Sequence, residues 1–509
     1  MKVCYPQTGN TRQKPRPSSS LWDVFMYVKK ELVDAFLDSA SKAATIILKC
    51  LEQDGVIHVA SHLDADGLAA IGIVGKALTR LGGTFRLRIE KWIDEKVVNE
   101  IAAEKPSLII FTDLGSGYLD LLSEKLSNNC VVILDHHQPL GFTSSTFAHV
   151  NPHVHGIDGS RDLSGAGVAY FVAKALDEAN VDLACLAVVG ALGDLQDKYG
   201  QRKLGGMNEK IVDDAVKAGH LKVETDLLFF GRETRPIHKA LACTTNPFIP
   251  GVSGEEDKSL AFLASLGITP KREDKWRALR DLSEEEKRKL FSALADYLTS
   301  KGFSSDVALS LIGNVYTLTR EEPWTPLRDA REFAVLLNAT GRMEKPGLGV
   351  SICLGDRTAA LEQASGVLEE YRRAITKYLN WLTEKPGRIE ELDSIYVVRG
   401  ENFVSERMIP AVSSILSTNL PNHEKPIIAY SKISGEDSVK VSARTLDILT
   451  SRGLNLGEIL RVAAEKYAGR GGGHDIAAGA QVPIKQVEDF IKLVDELIKR
   501  QMEEMQLGG

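Results

Sequence analysis

Between residues 56 and 135 the chain repeats one pattern three times: a short run of β-branched and other apolar residues, then a stretch with helical spacing. Val56-Ile57-His58-Val59 leads into a helical stretch from Gly67 to Leu81. Leu108-Ile109-Ile110-Phe111 precedes Leu119 to Leu126, and Val131-Val132-Ile133-Leu134 is the third run. Runs that are apolar at nearly every residue, rather than at every second one, fit strands covered on both faces. Their alternation with helices predicts an α/β domain built on a parallel sheet. The apolar stretch Ala187 to Leu192 reads as a fourth strand of the same kind.

Length and composition place this pattern in a larger frame. At roughly 150 residues per domain, 509 residues predict two to four domains. With 43% apolar and 26% charged residues, wholesale disorder, collagen-like repeats and a disulfide-stapled miniprotein are excluded. Residues 1–20 are basic and polar and predict a flexible tail, without the apolar centre of a secretory signal. Helical spacing resumes from Leu21 to Leu51 in two pieces. The catalytic α/β domain is expected over 21–204, a helical insert over 205–325, and a return to the first domain over 326–357. A helix without interior proline, from Thr358 to about Glu384, then Lys385-Pro386-Gly387, reads as a connector over 358–388. Residues 389–509 mix short strands (Ser394 to Val398, Pro426 to Ser431, Val439 to Ala443) with helices and predict a smaller α/β domain. No stretch reaches the ~18 apolar residues of a membrane span. Six scattered cysteines without a CxxC pair read as small buried hydrophobes in a reducing compartment, so a cytoplasmic location without a membrane is expected.

The chemistry sits at the ends of the apolar runs. The first leads into His62-Leu63-Asp64-Ala65-Asp66-Gly67, the second ends at Asp113, the third at Asp135-His136-His137, and the fourth delivers Gly193-Asp194. Ligands of open α/β sheets bind outside the carboxyl ends of the strands, so four elements aim Asp or His at one crevice. Each motif alone has an ordinary reading: a solvated turn for Asp64-x-Asp66, a cap for paired histidines, an N-cap for a terminal Asp. An aspartyl-phosphate loop of the haloacid-dehalogenase kind is disfavoured by Leu68, where Thr or Val is wanted. The conjunction favours a functional site, and seven of the 11 histidines lie between 58 and 155. Carboxylates with imidazole and without thiolate select a hard divalent ion, Mn²⁺ or Mg²⁺ before Zn²⁺. So many donors fit two ions ~3.5–4 Å apart, a pair suited to phosphoester hydrolysis.

Ser61 to Gly67, Asp113, Asp135-His136-His137 and Gly193-Asp194 together resemble motifs one to four of the DHH phosphoesterase superfamily. Gly471-Gly472-Gly473-His474, preceded by Lys440-Val441-Ser442-Ala443-Arg444, resembles its partner domain, DHHA1. Asn338-Ala339-Thr340-Gly341-Arg342 is similar to a RecJ-type segment between the two. The nearest subgroup is that of archaeal RecJ-like exonucleases, including the GINS-associated nuclease, in which a helical insert interrupts the first domain. The resemblance implies that His62, Asp64, Asp66, Asp113, His136 and Asp194 ligate two Mn²⁺ ions (Mg²⁺ being the alternative), with Asp113 as bridge. It implies that His137 contacts the scissile phosphate and that Asp135 orients the imidazoles. Ser442, Arg444, Gly472, Gly473 and His474 would hold a substrate phosphate or terminal nucleotide. Glycines that let backbone N–H groups approach phosphate, and the bidentate fork of Arg444, agree with that role; a flexible Arg470–Gly473 loop is the ordinary alternative.

Some residues depart from the pattern. His62 stands where many bacterial RecJ proteins carry Asp, and further nucleic-acid-binding modules follow DHHA1 in bacterial RecJ, whereas this chain ends soon after residue 500. His153 and His155 read as loop residues, and Arg232, Arg235 and His238 form a basic cluster that reads either as a DNA contact or as a solvated helix face. The leading expectation is a two-metal, RecJ-like exonuclease of single-stranded DNA or RNA in replication or repair, with GINS or another replication or repair protein on the helical insert. The alternatives are an oligonucleotide or cyclic-dinucleotide phosphodiesterase and a GINS-bound scaffold whose nuclease is retired. The net charge of -7 is compatible with a nuclease. Asp64, Asp66, Asp113, Asp135 and Asp194 supply five of the negative charges, and two divalent ions would bring the total to about -3.

Overall fold

The computed structural model describes residues 29–507 except 198, 201, 245, 246, 248, 304, 386 and 418–423. The expected tail over 1–20, and the first part of the expected 21–51 helix, lie outside the described residues. The second part is the helix Lys30–Glu52, whose Phe36, Ala40 and Ile47 stripe is buried.

The first domain is built on a five-stranded parallel sheet, β1 (Ile57–His62), β2 (Phe85–Glu90), β3 (Leu108–Thr112), β4 (Val131–Leu134) and β5 (Phe147–Val150), in the order β2-β1-β3-β4-β5. Along the central strands side chains alternate between two cores. Val59, Ile110 and Val132 join the larger, while Ala60, Phe111 and Ile133 join a smaller one with Val98, Ile101 and Leu122. Burial on both faces explains the unbroken apolar runs. The edge strands β2 and β5 do not carry that signature. In β2, Arg86 and Arg88 face partly into solvent and pair with Glu104 and Glu100; an edge strand needs only half of its residues apolar.

Ala184–Gly193, expected as a fourth strand, is instead a helix, labelled α3 here after α1 (Ala65–Arg80) and α2 (Gly165–Leu176). Nine of its residues are buried, because it is wedged between α1, α2, α4 (Ala330–Arg342) and the helix Gly206–Lys217. A ten-residue apolar run buried on every side carries no period, so it cannot be told from a buried strand by pattern.

β6 (Leu221–Leu227) and β9 (Ile312–Leu318) pair antiparallel from Leu221↔Leu318 to Leu227↔Ile312. They form the stem of the insert, which has its own core of Phe229, Ile237, Leu263, Leu290 and Leu294 and a small hairpin of β7 (Lys271–Arg272) and β8 (Lys275–Trp276). The insert is thus mostly helical on a β-ribbon stem. The helix Gly206–Lys217, inside the expected 205–325 segment, buries Met207, Ile211 and Ala215 in the first domain's core.

At the stem, buried Glu332 on α4 accepts hydrogen bonds from the Glu233 N–H (2.8 Å) and the Thr234 hydroxyl (2.6 Å). Burial first, then the charge of Asp329, pushes its pKa from 4.5 up to about 7. The folded protein therefore keeps a proton that the unfolded chain gives up. This contribution to stability is full below pH 4.5 and is lost as pH rises through about 7. Glu332→Gln, which can keep both hydrogen bonds, is expected to stabilise the protein at pH 8 relative to wild type, by on the order of 2 kcal/mol. The advantage should vanish near pH 4.5. Thermal unfolding of both proteins across that range checks it; equal pH slopes would refute it.

The connector α5 (Ala359–Glu384) carries Tyr371, Ile375 and Leu382 into the main core, which continues into the second domain through Tyr396, Val398 and Ile427. The second domain has a mixed six-stranded sheet, β10 (Ile389–Glu391), β11 (Tyr396–Arg399), β12 (Ile427–Lys432), β13 (Ser438–Arg444), β14 (Arg470–Gly473) and β15 (Ala477–Pro483), in the order β10-β11-β12-β13-β15-β14. α6 (Ile409–Ser417) covers one face; α7 (Leu456–Lys466) and the helix Val487–Leu507 contribute to the core on the other. Arg470–Gly473 is therefore an edge strand rather than a flexible loop. Its glycines permit close packing: a Cβ on Gly471 would stand 2.4 Å from the Leu460 carbonyl of α7. No described helix is long and apolar enough to cross a membrane.

Candidate metal centre

The carboxyl ends of β1, β3 and β4 and the C-terminal end of α3 converge. Ser61, the last residue of β1 to pair with β3, donates to the carbonyls of Thr112 (2.9 Å) and Gly67 (2.8 Å), tying the β1–α1 turn to β3. Asp64 then caps α1 by accepting from the Gly67 N–H at 3.1 Å. Asp66, in the first turn, accepts from the Gly165 and Ala166 N–H groups (2.6 and 3.0 Å) at the start of α2. Asp113 follows β3 with φ +54, a left-handed backbone that costs energy in an ordinary residue and is characteristic of functional sites.

Four overlapping donor groups result; two include His137, with His136 and His474 or with Asp113 and Asp135, and two do not. Of the latter two, His62, Asp64 and Asp113 form one, and Asp66, His136 and Asp194 the other. Asp113 lies between them, its Oδ2 3.7 Å from His62 Nδ1 and its Oδ1 3.2 Å from His136 Nε2. His62 Nδ1 is also 2.9 Å from Asp64 Oδ2, and His136 Nε2 is 3.2 Å from Asp194 Oδ2 and 3.7 Å from Asp66 Oδ2. His136 is fully buried, and its Nδ1 lies 2.6 Å from the Gly159 carbonyl oxygen. That contact places one ring proton on Nδ1, so that Nε2, on giving up its own proton, turns a lone pair toward three carboxylates. His62 Nδ1, His136 Nε2 and Asp113 Oδ1 are buried without hydrogen-bond geometry to any partner.

The electrostatics call for positive charge at this point. Burial, then Asp66 and Asp64, raises the Asp113 pKa well above the carboxylate range, and burial with Asp66 raises Asp194 to about 8. Asp66 is raised by burial as well, although His136 opposes the shift. Burial disfavours protonated His136, yet Asp113 and Asp194 outweigh it and raise its pKa well above 6.5. Asp194 follows the C-terminal end of α3, where the helix dipole also disfavours an anion. Crowded carboxylates and imidazoles with outward lone pairs, and no thiolate among them, fit hard divalent ions.

Asp135 is placed differently. Its oxygens accept from the N–H groups of Ser116 (2.8 Å), His136 (2.8 Å) and His137 (3.2 Å) and lie 2.8 Å from His137 Nδ1. Burial alone would raise its pKa, but His137 and these hydrogen bonds hold it far below the carboxylate range. It fixes the orientation of the His137 ring through Nδ1.

The second domain closes over this crevice. The His474 ring stacks on His137 at 5.2 Å and lies 5.4 Å from His136. On β13, Lys440, Ser442 and Arg444 share one face by strand alternation. Ser442 Oγ is 3.1 Å from Ser413 Oγ, and Arg444 Nε donates to Ser414 at 2.9 Å. Burial, then Arg342, lowers the Arg444 pKa to about 10, while Asp194 opposes the shift. Burial, Lys91 and Arg444 lower Lys440 to about 8. Gly472 lies beside Gly479, which pairs with Ser442, so two adjacent strands lack side chains at this edge of the sheet. Gly473, with φ +137, would place a Cβ 2.7 Å from the Ala477 carbonyl. The candidate residues of both domains are thus brought to one crevice or its rim.

Other candidates fall elsewhere. His153 and His155 occupy a short 3₁₀ turn, Pro152–His155, outside the donor groups. Of the Arg232, Arg235 and His238 cluster, Arg232 is buried against Asp226 at 2.6 Å, and buried His238 packs on Trp276. Neither side chain is on a solvated face or available to DNA. Several supporting residues carry no periodic signal. Asn338 accepts from the Ala65 N–H at 3.2 Å, and Gln196 donates to the same Gly159 carbonyl as His136. Gly190 would place a Cβ 2.3 Å from Asp66, and Gly341 one 1.8 Å from the Leu63 carbonyl. Asn338 and Gly341 stand in the Asn-Ala-Thr-Gly-Arg segment, which is their only sequence signal.

A two-domain α/β protein with a carboxylate–imidazole crevice at the ends of a parallel sheet defines a class, and the comparisons agree with it. Residues 56–191 match the DHH family, N-terminal domain, residues 229–312 the DHH-CID domain, and residues 396–500 the DHHA1 domain. An uncharacterised protein of Methanocaldococcus jannaschii is 34% identical over 461 residues, 89% of this chain and 96% of that protein. The chain belongs to the DHH superfamily and has a RecJ-like arrangement of its domains. Members of this superfamily are metal-dependent phosphoesterases. RecJ of Thermus thermophilus in complex with Mn²⁺ superposes with a TM-score of 0.56 at 20% identity over 91% of this chain. This chain spans 55% of that RecJ chain. CDC45 of Entamoeba histolytica superposes with a TM-score of 0.58 at 13% identity, over 93% of this chain and 100% of the other. At these identities the two structures speak to fold alone.

Proposed function

We propose that the protein is a Mn²⁺-dependent exonuclease of single-stranded DNA or RNA, acting in replication or repair. The observation that carries this reading is the position of Asp113, one carboxylate oxygen toward His62 and the other toward His136 (3.7 and 3.2 Å). In this reading His62, Asp64 and Asp113 hold one ion and Asp66, His136 and Asp194 the other, with Asp113 shared. Divalent ions held there would supply the activation of water at neutral pH and the neutralisation of phosphoryl charge that phosphoester hydrolysis needs. The protein's own groups do the positioning. Gly159 fixes the His136 tautomer, and Asp135 turns His137 toward the scissile phosphate. Ser442, Arg444 and His474, with the Gly472-Gly473 backbone, grip the terminal phosphate from above. Closure of the second domain over the crevice limits access to a single strand fed end first. The helical insert, with a core of its own, is the surface assigned to GINS or another replication or repair protein.

Incubating a single strand labelled at either end with Mn²⁺ tests the reading. Stepwise release of mononucleotides from one end is expected, and the label that is lost first gives the polarity. Cleavage of only very short oligonucleotides or cyclic dinucleotides would favour the small-substrate phosphodiesterase. Inactivity on every substrate would favour the scaffold. Retention of GINS by the full chain, and its loss when the insert surface is altered, would test the partner.

A further inference from the structure

We infer that the groove beside the C-terminal half of α5 is a second nucleic-acid site: a track for single-stranded nucleic acid that leads away from the metal centre. This rests on the nuclease reading for its purpose, though not for its test. The groove, of about 700 Å³, is lined by Arg372, Arg373, Lys377, Trp381 and Phe403, with Glu384 as its only carboxylate among the described residues. Glu384 is itself 4.0 Å from Arg388. The lining is therefore cationic, in a protein whose net charge is -7.

Helical spacing sets the cations out in a row. Arg373, Lys377 and Trp381 follow each other at i, i+4 and i+8, one turn (~5.4 Å) apart along one side of α5. Arg373 and Lys377 are exposed and make no ion pair among the described residues. Arg372 Nη1 donates to Glu369 at 2.6 Å, but its Nε is buried without a hydrogen-bond partner. The guanidiniums of Arg372 and Arg235 both lie over the Phe230 ring, at 5.1 and 5.4 Å. Two like charges are thereby kept close beside the Arg372 end of the groove, offset in part by Glu369.

Aromatic surface occupies the other end. Trp381 and Phe403 stack at 4.6 Å with an 18° interplanar angle, and Lys377 Nζ lies 5.1 Å from the Phe403 centroid. Arg388 lies over Trp381 at 3.6 Å, so Trp381 backs Phe403 and the Phe403 ring is the aromatic surface left for a base, with the displaced Lys377 ammonium moving to the adjacent phosphate. Cations in line followed by stacked rings are what unpaired strands bind without regard to sequence. A duplex would leave the rings idle.

The groove is also joined to the catalytic crevice. Arg444 feels the charges of Arg342 and Asp194, and Arg342 donates to the Tyr371 hydroxyl at 2.9 Å. Tyr371 immediately precedes Arg372 on α5. Arg444 and Arg342 thus place positive charge between the metal centre and the turn of α5 from which the groove cations Arg372, Arg373 and Lys377 project.

The test compares fluorescein-labelled oligothymidylates of about 4 and about 20 nucleotides by anisotropy, on the full chain with Ca²⁺ in place of Mn²⁺ to slow cleavage. The short strand fills the crevice only; the long one reaches the groove. Wild type should bind the long strand about 10-fold more tightly or better. The double variant Arg373→Ala, Lys377→Ala should lose that advantage, with a slope of log affinity against log salt shallower by about 1.4, or 0.7 per phosphate contact. Phe403→Ala should weaken the long strand by about 10-fold with little change in salt slope. Neither set should alter binding or Mn²⁺-dependent hydrolysis of the short strand, which reports the crevice and any misfolding. Cross-linking of 5-iodouracil strands to Phe403 gives a readout that needs no substitution. Wild-type affinity of the double variant for long strands overturns the track, and a groove that serves an acidic protein would give that result. If wild type hydrolyses no strand while the double variant still loses long-strand binding, the nuclease reading fails and the track stands.

Discussion

Replacing Asp135 and His136 together by alanine is expected to reduce Mn²⁺-dependent hydrolysis of a single strand by on the order of 10³-fold or more. The two residues are adjacent but hold different parts of the proposed site. His136 places an imidazole nitrogen 3.2 Å from carboxylate oxygens of both Asp113 and Asp194, so its loss leaves the donor group it forms with Asp66 and Asp194 a ligand short. Asp135 holds the N–H groups of Ser116, His136 and His137, together with the His137 ring. Its loss frees the imidazole assigned to the phosphate. Because those are buried hydrogen bonds, the double variant also loses stability. His136→Ala alone, with Asp135 retained, keeps the turn intact and should still lose most of the activity. Circular dichroism and thermal unfolding of each variant separate the two effects. Folded variants with wild-type rates would remove the crevice from consideration as the catalytic centre.

Supplying Mn²⁺ to protein stripped with a chelator is expected to raise thermal stability as well as to restore activity. The ion-free crevice holds four carboxylates near one another, and their mutual repulsion is felt in the raised pKa values of Asp113, Asp66 and Asp194. An ion that binds the folded state alone stabilises it by about 2.7 kcal/mol at 100 times its Kd, which in a protein of this size is a rise of about 2 to 3 degrees in Tm. Binding must also expel protons. Asp194, held to about 8 by burial and Asp66, is largely protonated in the ion-free protein at pH 6 and largely ionised at pH 9. Apparent affinity for Mn²⁺ should therefore tighten as pH rises through that interval, with protons released on binding. Calorimetry in buffers of differing ionisation enthalpy counts them. A pH-independent affinity with no proton release would show that these carboxylates are not the ligands. Asp194→Asn should weaken binding and flatten the pH dependence together.

Much of this is legible in the residue order, for a reason that differs by element. The strands β1, β3 and β4 are buried on both faces, so nearly every residue is apolar, and the polar residues that follow stand out against them. The edge strands β2 and β5 are not legible, because an edge with one wet face needs charges such as Arg86 and Arg88. α3 reads as a strand because complete burial erases the helical period. That error does not displace Asp194, since a polar residue ending an apolar run reaches the same crevice from a helix as from a strand. The basic cluster of Arg232 and His238 misleads for the opposite reason: three nearby cations say nothing of Asp226 or Trp276, which the fold brings against them. The cationic series on α5 carries no sequence signal because its charges look like any solvated helix face until Phe403 and Phe230 are packed beside it.

What the sequence determined by itself is local: which runs must be buried, where each run stops, and that Asp and His are placed at the stops. Those follow from the solvation cost of apolar and charged groups, which adjacent residues already express. Only the tertiary structure decided which stops meet. Asp113 standing between His62 and His136, Gly159 choosing the tautomer of His136, and His474 arriving from 337 residues beyond His137 all depend on parallel register and on the second domain closing over the first. Such contacts join residues distant in the chain, and no local preference encodes them.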